Sequence, residues 1–554
     1  MALLMPACTE ALHVPAPPFA VQARNFPTCS NSQDPGFNDG LPNSGVDFVH
    51  RLLLTDMSQG GQSMDPFRGA FGAGVVAADL DGNETIDLFF PQEDGLNGLF
   101  WGFGDGSFEA APANHPLRQG DPEAAQMYAI SADYDGDGLL DLLISGTSSL
   151  QLWRNLGERE FQEQATSLGL SPPSRYPGGM AMGDWDGDGD LDLFLGNYGE
   201  PETGEGANER GPAVRPSRMW RNDGDQGFTD RSADLPQVPG QWGACLQGAF
   251  RDLDNDGDLD LIQVNDFGPW KGMTRLLENL GPGDSGSWQW QDRMEASGIG
   301  SLEFPMGSAA TDFDGDGRTD LWFSDIGGNR VFRGTSSWRW ADVGSSWLSG
   351  IEHLPSDVSW SVVDLDLDGD SRRDLFINYG PYLPDAPEDP TEPWADQQQD
   401  RLLHNQGGSA AELRFVQLTD AFPGPQRGNA RGTAIADLNG DGVPDLVTGN
   451  IDSAPALLLG RCTTAQRITV ELRQPAHANH FAIGARVEVE AAGLVQQGEF
   501  SAGGRGSFSG SQPQLQFGLG TAEQVDRITV IWPDGTRESA EHLCPHCALI
   551  ISRQ

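Results

Sequence analysis

The chain has 554 residues, with 81 acidic and 34 basic side chains and a formal net charge of −47. Nucleic acid is excluded as a partner, because phosphate contacts need a basic face, and direct binding to anionic lipid is disfavoured. No apolar run reaches membrane-spanning length, and the length suits one large repeat domain followed by a small one.

Residues 1–45 read as an extended or linker segment, rich in Pro, Asn and Gly. The first eight residues are too short, and lack the basic start, for a complete signal peptide. Two readings stand: Cys8 as the lipid-anchor residue of a truncated lipoprotein signal, or a disordered N-terminus.

Residues 46–461 contain one acidic nonapeptide written seven times, Asp-x-Asp-x-Asp-x-x-x-Asp, with starts 51 to 71 residues apart. A repeat of this period points to one four-stranded sheet per copy. The first copy holds Asp79, Asp81, Asn83 and Asp87. The second holds Asp133, Asp135, Asp137 and Asp141, and the third Asp184, Asp186, Asp188 and Asp192. The fourth holds Asp252, Asp254, Asp256 and Asp260, and the fifth Asp312, Asp314, Asp316 and Asp320. The sixth holds Asp366, Asp368, Asp370 and Asp374, and the seventh Asp437, Asn439, Asp441 and Asp445. Carboxylates at alternate positions of a tight loop converge on one point, and hard oxygen donors of this kind suit Ca²⁺. By analogy with the EF-hand, positions one, three and five ligate through side chains, position seven through its carbonyl, and position nine closes the set. The EF-hand's position-twelve Glu is missing, and an apolar run such as Leu142-Leu143-Ile144 follows instead. The loops therefore lie between strands, with up to seven Ca²⁺, one per blade. Asn83 and Asn439 each remove one charge, so the first and last loops are expected to bind more weakly. The competing reading is that the ions only staple the blades.

A small-residue strand enters each loop and an apolar strand leaves it. A third strand ends in a turn such as Trp153-Arg154-Asn155-Leu156-Gly157, and a Phe-centred strand follows. Seven such sheets arranged radially make a seven-bladed β-propeller, which leaves few exposed edges; a linear solenoid is the alternative. The last copy lacks its outer strand, which residues 48–54 are expected to supply. Residues 462–554 alternate with period two, as in Ile468-Thr469-Val470-Glu471-Leu472, and read as a small antiparallel β-sandwich or barrel. The fold class is thus all-β.

The acidic loops, each closing on Asp-Leu, resemble FG-GAP/VCBS-type propeller repeats. Residues 479–487 (Asn-His-Phe-Ala-Ile-Gly-Ala-Arg-Val), 503–508 (Gly-Gly-Arg-Gly-Ser-Phe), 515–520 and 531–535 resemble the ASPIC/UnbV domain. The order of the two is similar to the cartilage acidic protein-like family. That resemblance implies a calcium-binding secreted or surface protein with an adhesion or matrix role, and says more about fold than about activity.

Six cysteines are few for this length. Cys544-Pro545-His546-Cys547 has redox spacing, but opens no helix of a βαβ unit. It reads as part of a structural bridge involving Cys462. His50, His353 and His404 recur at no repeat offset and read as structural or surface residues. Trp242, Trp270, Trp338, Trp340, Trp347, Trp360 and Trp394 could stack on sugars, although Trp338 and Trp360 read as core. The insertions near 199–217 and 379–400 are the expected partner surface. No catalytic constellation emerges. The expectation is an extracellular or cell-surface protein with a protein or glycan ligand, and the alternative is a polysaccharide-active enzyme using the propeller's central face.

Overall fold

The computed structural model describes residues 19–29, 33–51, 71–121, 124–171, 176–199, 214–236, 238–381, 398–424, 426, 428–504 and 506–553. Within them the chain is dominated by β-structure, with nine sheets, two one-turn α-helices, Gly268–Lys271 and Gly344–Trp347, and a few three-residue 3-10 turns.

Seven sheets follow one plan, clearest in the second repeat. Gln126–Ala132 enters the acidic loop, Asp141–Gly146 leaves it, and Ser149–Asn155 and Phe161–Glu163 complete an antiparallel meander. The pairs Ala132↔Asp141, Leu142↔Trp153 and Asn155↔Phe161 fix the register. Every residue of the first two strands is buried. Continuous apolar runs replace alternation because both faces are covered by neighbouring sheets. The outermost strand of this repeat buries only its leading Phe161.

Consecutive sheets share side-chain cores. The first three repeats contribute to one cluster, for example through Phe89, Leu143 and Leu195. Phe194 of the third repeat packs with Leu261 of the fourth, and Ile262 of the fourth with Leu321 of the fifth. Trp322 joins Leu375, and Phe376 joins Leu446. Leu438 and Val447 of the seventh repeat pack with Val75 and Leu88 of the first. The Gly106 N–H also donates to the Leu438 carbonyl at 3.0 Å.

The outer strand of the seventh sheet is Phe37–Asp39, paired with Ala456–Gly460, and not residues 48–54. Phe37 is fully buried against that sheet, whereas Phe48 stacks on Phe90 of the first repeat. Residues 52–54 lie outside the described residues, as do Cys8, Trp394, and most of both insertions.

The C-terminal part forms two four-stranded sheets over one core. It is not purely antiparallel: Gln466–Arg473 and His546–Arg553 run parallel. The edge of that sheet is Phe19–Asn25, paired along its length with His546–Arg553. The stretch read as linker or wrap therefore supplies strands to both parts of the molecule.

A segment of the C-terminal part, residues 502–504 and 506–512, enters the repeat region and touches all seven repeats. Gly510 pairs parallel to Val76 of the first, Phe508 stacks on Tyr128 of the second at 4.6 Å, and Gly503 pairs with Ala181 of the third. Gln247 of the fourth donates to the Gly504 carbonyl at 2.9 Å. The Ser507 hydroxyl donates to the Met306 carbonyl of the fifth, and its N–H to Ser361 of the sixth. Ile435 N–H of the seventh donates to the Ser511 hydroxyl. Glycine is required at the closest approaches: a Cβ on Gly506, whose φ is +73°, would lie 2.4 Å from the Thr433 carbonyl.

Candidate metal centres

Each acidic loop is a short arc between the first and second strands of its sheet. Asp133 shows how position one organises the arc. Its carboxylate accepts from the backbone N–H of Gly136, Asp137 and Gly138 at 2.8 to 3.2 Å. Gly136 and Gly138 sit at φ +71° and +88°, where a Cβ is disfavoured. Glu84 and Ser371, which replace the second glycine, take the same left-handed conformation.

Position nine repeats without exception. Asp87, Asp141, Asp192, Asp260, Asp320, Asp374 and Asp445 are all buried. One oxygen of each accepts from the N–H of loop position two, as from Tyr134 to Asp141 at 3.0 Å. The other accepts from the third strand, as from Asn155 at 2.7 Å. The same pair of bonds is made by Asp87, Asp192, Asp260, Asp320, Asp374 and Asp445. This residue clips the loop to the sheet, whatever else it holds.

Positions one, three and nine come together: oxygens of Asp79, Asp81 and Asp87 lie within 4.8 Å of one another, and so do those of the second, third and fourth loops. In the sixth loop the grouped residues are Asp368, Asp374 and His404, with His404 Nδ1 3.0 Å from Asp374. His404 is thus a hydrogen-bonded neighbour of the site, the structural rather than the surface alternative. Position five shares an arginine with position three, which also pairs with Arg154 in the second loop and Arg333 in the fifth. Asp137 pairs with Arg154 at 3.1 Å, and Asp316 with Arg333.

Burial, reinforced by neighbouring carboxylates, pushes the Asp87 carboxyl up to about 8. It pushes Asp133, Asp184 and Asp366 to about 7. Asp141, Asp192, Asp320 and Asp445 are raised well above the ordinary range, mainly by burial. Bare carboxylates so close repel one another, and a proton or a hard cation relieves them. Asp186 Oδ1, Asp252 Oδ1 and Asp258 Oδ1 are buried and accept no hydrogen bond. The donor set therefore fits a hard divalent cation.

The sequence reading passed over three features. Asp258 adds a fifth carboxylate at position seven of the fourth loop, and Asp190 does so in the third; both were visible as uninterrupted Asp alternation. Arg154 and Arg221 stand at one offset in Trp-Arg-Asn and reach their own loops. The Asn that follows joins neighbouring repeats. Asn155 Nδ2 donates to Leu80 O in the preceding loop, Asn222 to Tyr134 O, Asn279 to Trp185 O, and Asn405 to Phe313 O, at 2.7 to 3.0 Å.

The C-terminal part lies across the loops. Asp79 N–H donates to Gln512, Asn479 N–H to Gly189 O, and Gly520 N–H to Gly369 O. Arg486 lies 3.9 Å from Asp252. Between it and the first and last loops is a cavity of about 600 Å³, lined by Asp79, Glu84, Phe103, Asn439, Arg473 and others. Trp338, Trp340, Trp347 and Trp360 are buried and Trp242 is half-buried, so that among the described members of that set Trp270, 39% exposed, is the most accessible. Cys462 is bonded to Cys29, so it does not bridge to Cys544 or Cys547.

Sheets of this plan, each with one acidic loop clipped by a buried aspartate, define an all-β repeat protein. Residues 79–144 and 133–195 match the model of the FG-GAP-like repeat, and residues 475–554 match that of ASPIC and UnbV. The chain thus carries FG-GAP-like repeats in residues 79–195 and an ASPIC and UnbV domain in residues 475–554. It is 24% identical over 301 residues to cartilage acidic protein 1 of Mus musculus, covering 52% of this chain and 42% of that protein. It is 26% identical over 185 residues to the Homo sapiens protein, covering 31% and 24%. The chain spans less than half the length of these curated relatives. Among solved structures it is similar to an Agrocybe aegerita lectin that recognises non-reducing terminal N-acetylglucosamine (14% identity, TM-score 0.39, 78% of this chain and 100% of that one). It is also similar to the V. cholerae biofilm matrix protein Bap1 (13% identity, TM-score 0.29, 89% and 62%).

Proposed function

We propose that the seven repeats close into a seven-bladed β-propeller holding up to seven Ca²⁺, and that the protein serves extracellular or cell-surface binding to a protein or glycan ligand. The observation that carries the metal part is the convergence of carboxylate oxygens within 4.8 Å in successive loops, with buried oxygens of the third and fourth loops left without a hydrogen bond. The shared core of the seventh and first repeats supports closure, and the Cys29–Cys462 disulfide supports an oxidising compartment. Among the described residues no helix is long and apolar enough to cross a membrane.

The competing reading is a polysaccharide-active enzyme using the central face. Residues 502–504 and 506–512 contact every repeat, which supports binding over catalysis at a central face on that side. The test is incubation of the full chain with cell-surface and matrix polysaccharides, in calcium and in EDTA. Calcium-dependent retention without released oligosaccharide is the expected result. Sugar release would overturn it in favour of the enzyme.

A further inference from the structure

Cys544 and Cys547 flank the turn between Arg537–Leu543 and His546–Arg553. With Cys29 and Cys462 bonded to each other and Cys245 buried in the fourth repeat, neither thiol has another described cysteine to pair with. They share that turn instead: the Cys547 S–H donates to the Cys544 backbone carbonyl at 3.5 Å. Their surroundings are unequal. Cys547 lies on an interior strand, between Asn25 and Ile468, and is fully buried in the domain core. Cys544 is half-buried, accepts from the His546 N–H at 3.4 Å, and lies 3.4 Å from Asn25 Oδ1.

We propose that Cys544 and Cys547 are a thiol–disulfide exchange centre whose substrate class is an accessible organic disulfide, with Cys544 attacking and Cys547 resolving. The neighbouring Cys547 side chain, with the His546 N–H, lowers the Cys544 thiol to about 7, while Cys544 and burial raise that of Cys547. Only the thiolate attacks, so the roles follow from position. In the first step the Cys544 thiolate bonds to one sulfur of the substrate disulfide, whose S–S bond breaks and releases one thiolate. In the second, Cys547 gives up its proton to a departing thiolate and attacks Cys544 Sγ. The Cys544–Cys547 bond forms and the second substrate thiol leaves. Two electrons pass from the cysteine pair to the substrate, and a dithiol run through the reverse steps would be oxidised.

The test uses the full chain equilibrated in glutathione buffers of graded potential, quenched, alkylated and mapped by peptide mass spectrometry. Cys544 and Cys547 should change state together in one two-electron step, with Cys29–Cys462 bonded throughout. In Cys547→Ser, a glutathione mixed disulfide should accumulate at Cys544, which the unmodified chain clears about tenfold faster or more. The proposal fails if both thiols remain alkylatable in the most oxidising buffer. It fails equally if their bond never opens in the most reducing one, which would make it a structural cross-link. The titration of the unmodified chain decides between these without any variant.

Discussion

Two aspartates four positions apart in one loop have different duties. Asp141 holds two backbone N–H groups inside the protein, whereas the half-exposed Asp137 accepts from the Leu139 N–H at the surface and pairs with Arg154. Asp141→Ala should destabilise the chain by about 1–3 kcal/mol even in EDTA, because buried donors lose their acceptor. Asp137→Ala should leave the metal-free stability nearly unchanged and weaken calcium binding alone. Urea denaturation with and without calcium separates the two. Asn155→Ala should cost a similar 1–3 kcal/mol, since it frees the Leu80 and Leu140 carbonyls in a buried setting. The carboxylates of both kinds were legible in the sequence, because loop chemistry repeats at fixed offsets. The split between ligand and clip was not, since it depends on a third-strand N–H whose distance along the chain varies between repeats. Asn155 carried a signal, the recurring Asn-x-Gly of the third-strand turn, but its partner sits in the preceding repeat.

Each loop couples its strands to solution conditions. The metal-free carboxyls titrate above the ordinary value of about 4, with Asp133 at about 7 and Asp87 at about 8. As pH rises the unfolded chain releases these protons first, so the folded state loses stability between about pH 4 and 8. Thermal unfolding in EDTA should therefore show a midpoint falling across that window. Saturating calcium should reverse the trend, because protons compete with the ion for the same oxygens. The strands themselves were readable from apolar runs bounded by the loops. The outer strand of the seventh sheet was not: Phe37-Asn38-Asp39 is too short and polar to stand out, and only the exposed edge of Ala456–Gly460 selects it.

At the scale of the molecule, the C-terminal part is fastened in three ways: by residues 502–512 among the repeats, by Phe19–Asn25 along its sheet edge, and by contacts on the loops themselves. Phe508, buried between Tyr128 and Trp360, belongs to the core of the first repeats, not to that of its own domain. Phe508→Ala should cost about 3–5 kcal/mol and loosen both parts together, seen as one lowered transition by calorimetry. Two separate transitions, with only the C-terminal one shifted, would show that the segment is not shared. The two-part organisation was visible in the change from acidic repeats to period-two strands. The insertion of 502–512 was not, because a glycine-rich segment reads as a turn until its seven neighbours are known. The central claim is that the acidic loops hold calcium, with the Asn-bearing first and last loops weakest. Native mass spectrometry of the full chain over a calcium titration tests it most directly. The account predicts up to seven bound Ca²⁺ per chain, with two lost first as calcium falls and regained more tightly in Asn83→Asp and Asn439→Asp. A chain that stays calcium-free at millimolar calcium while keeping its fold would contradict it.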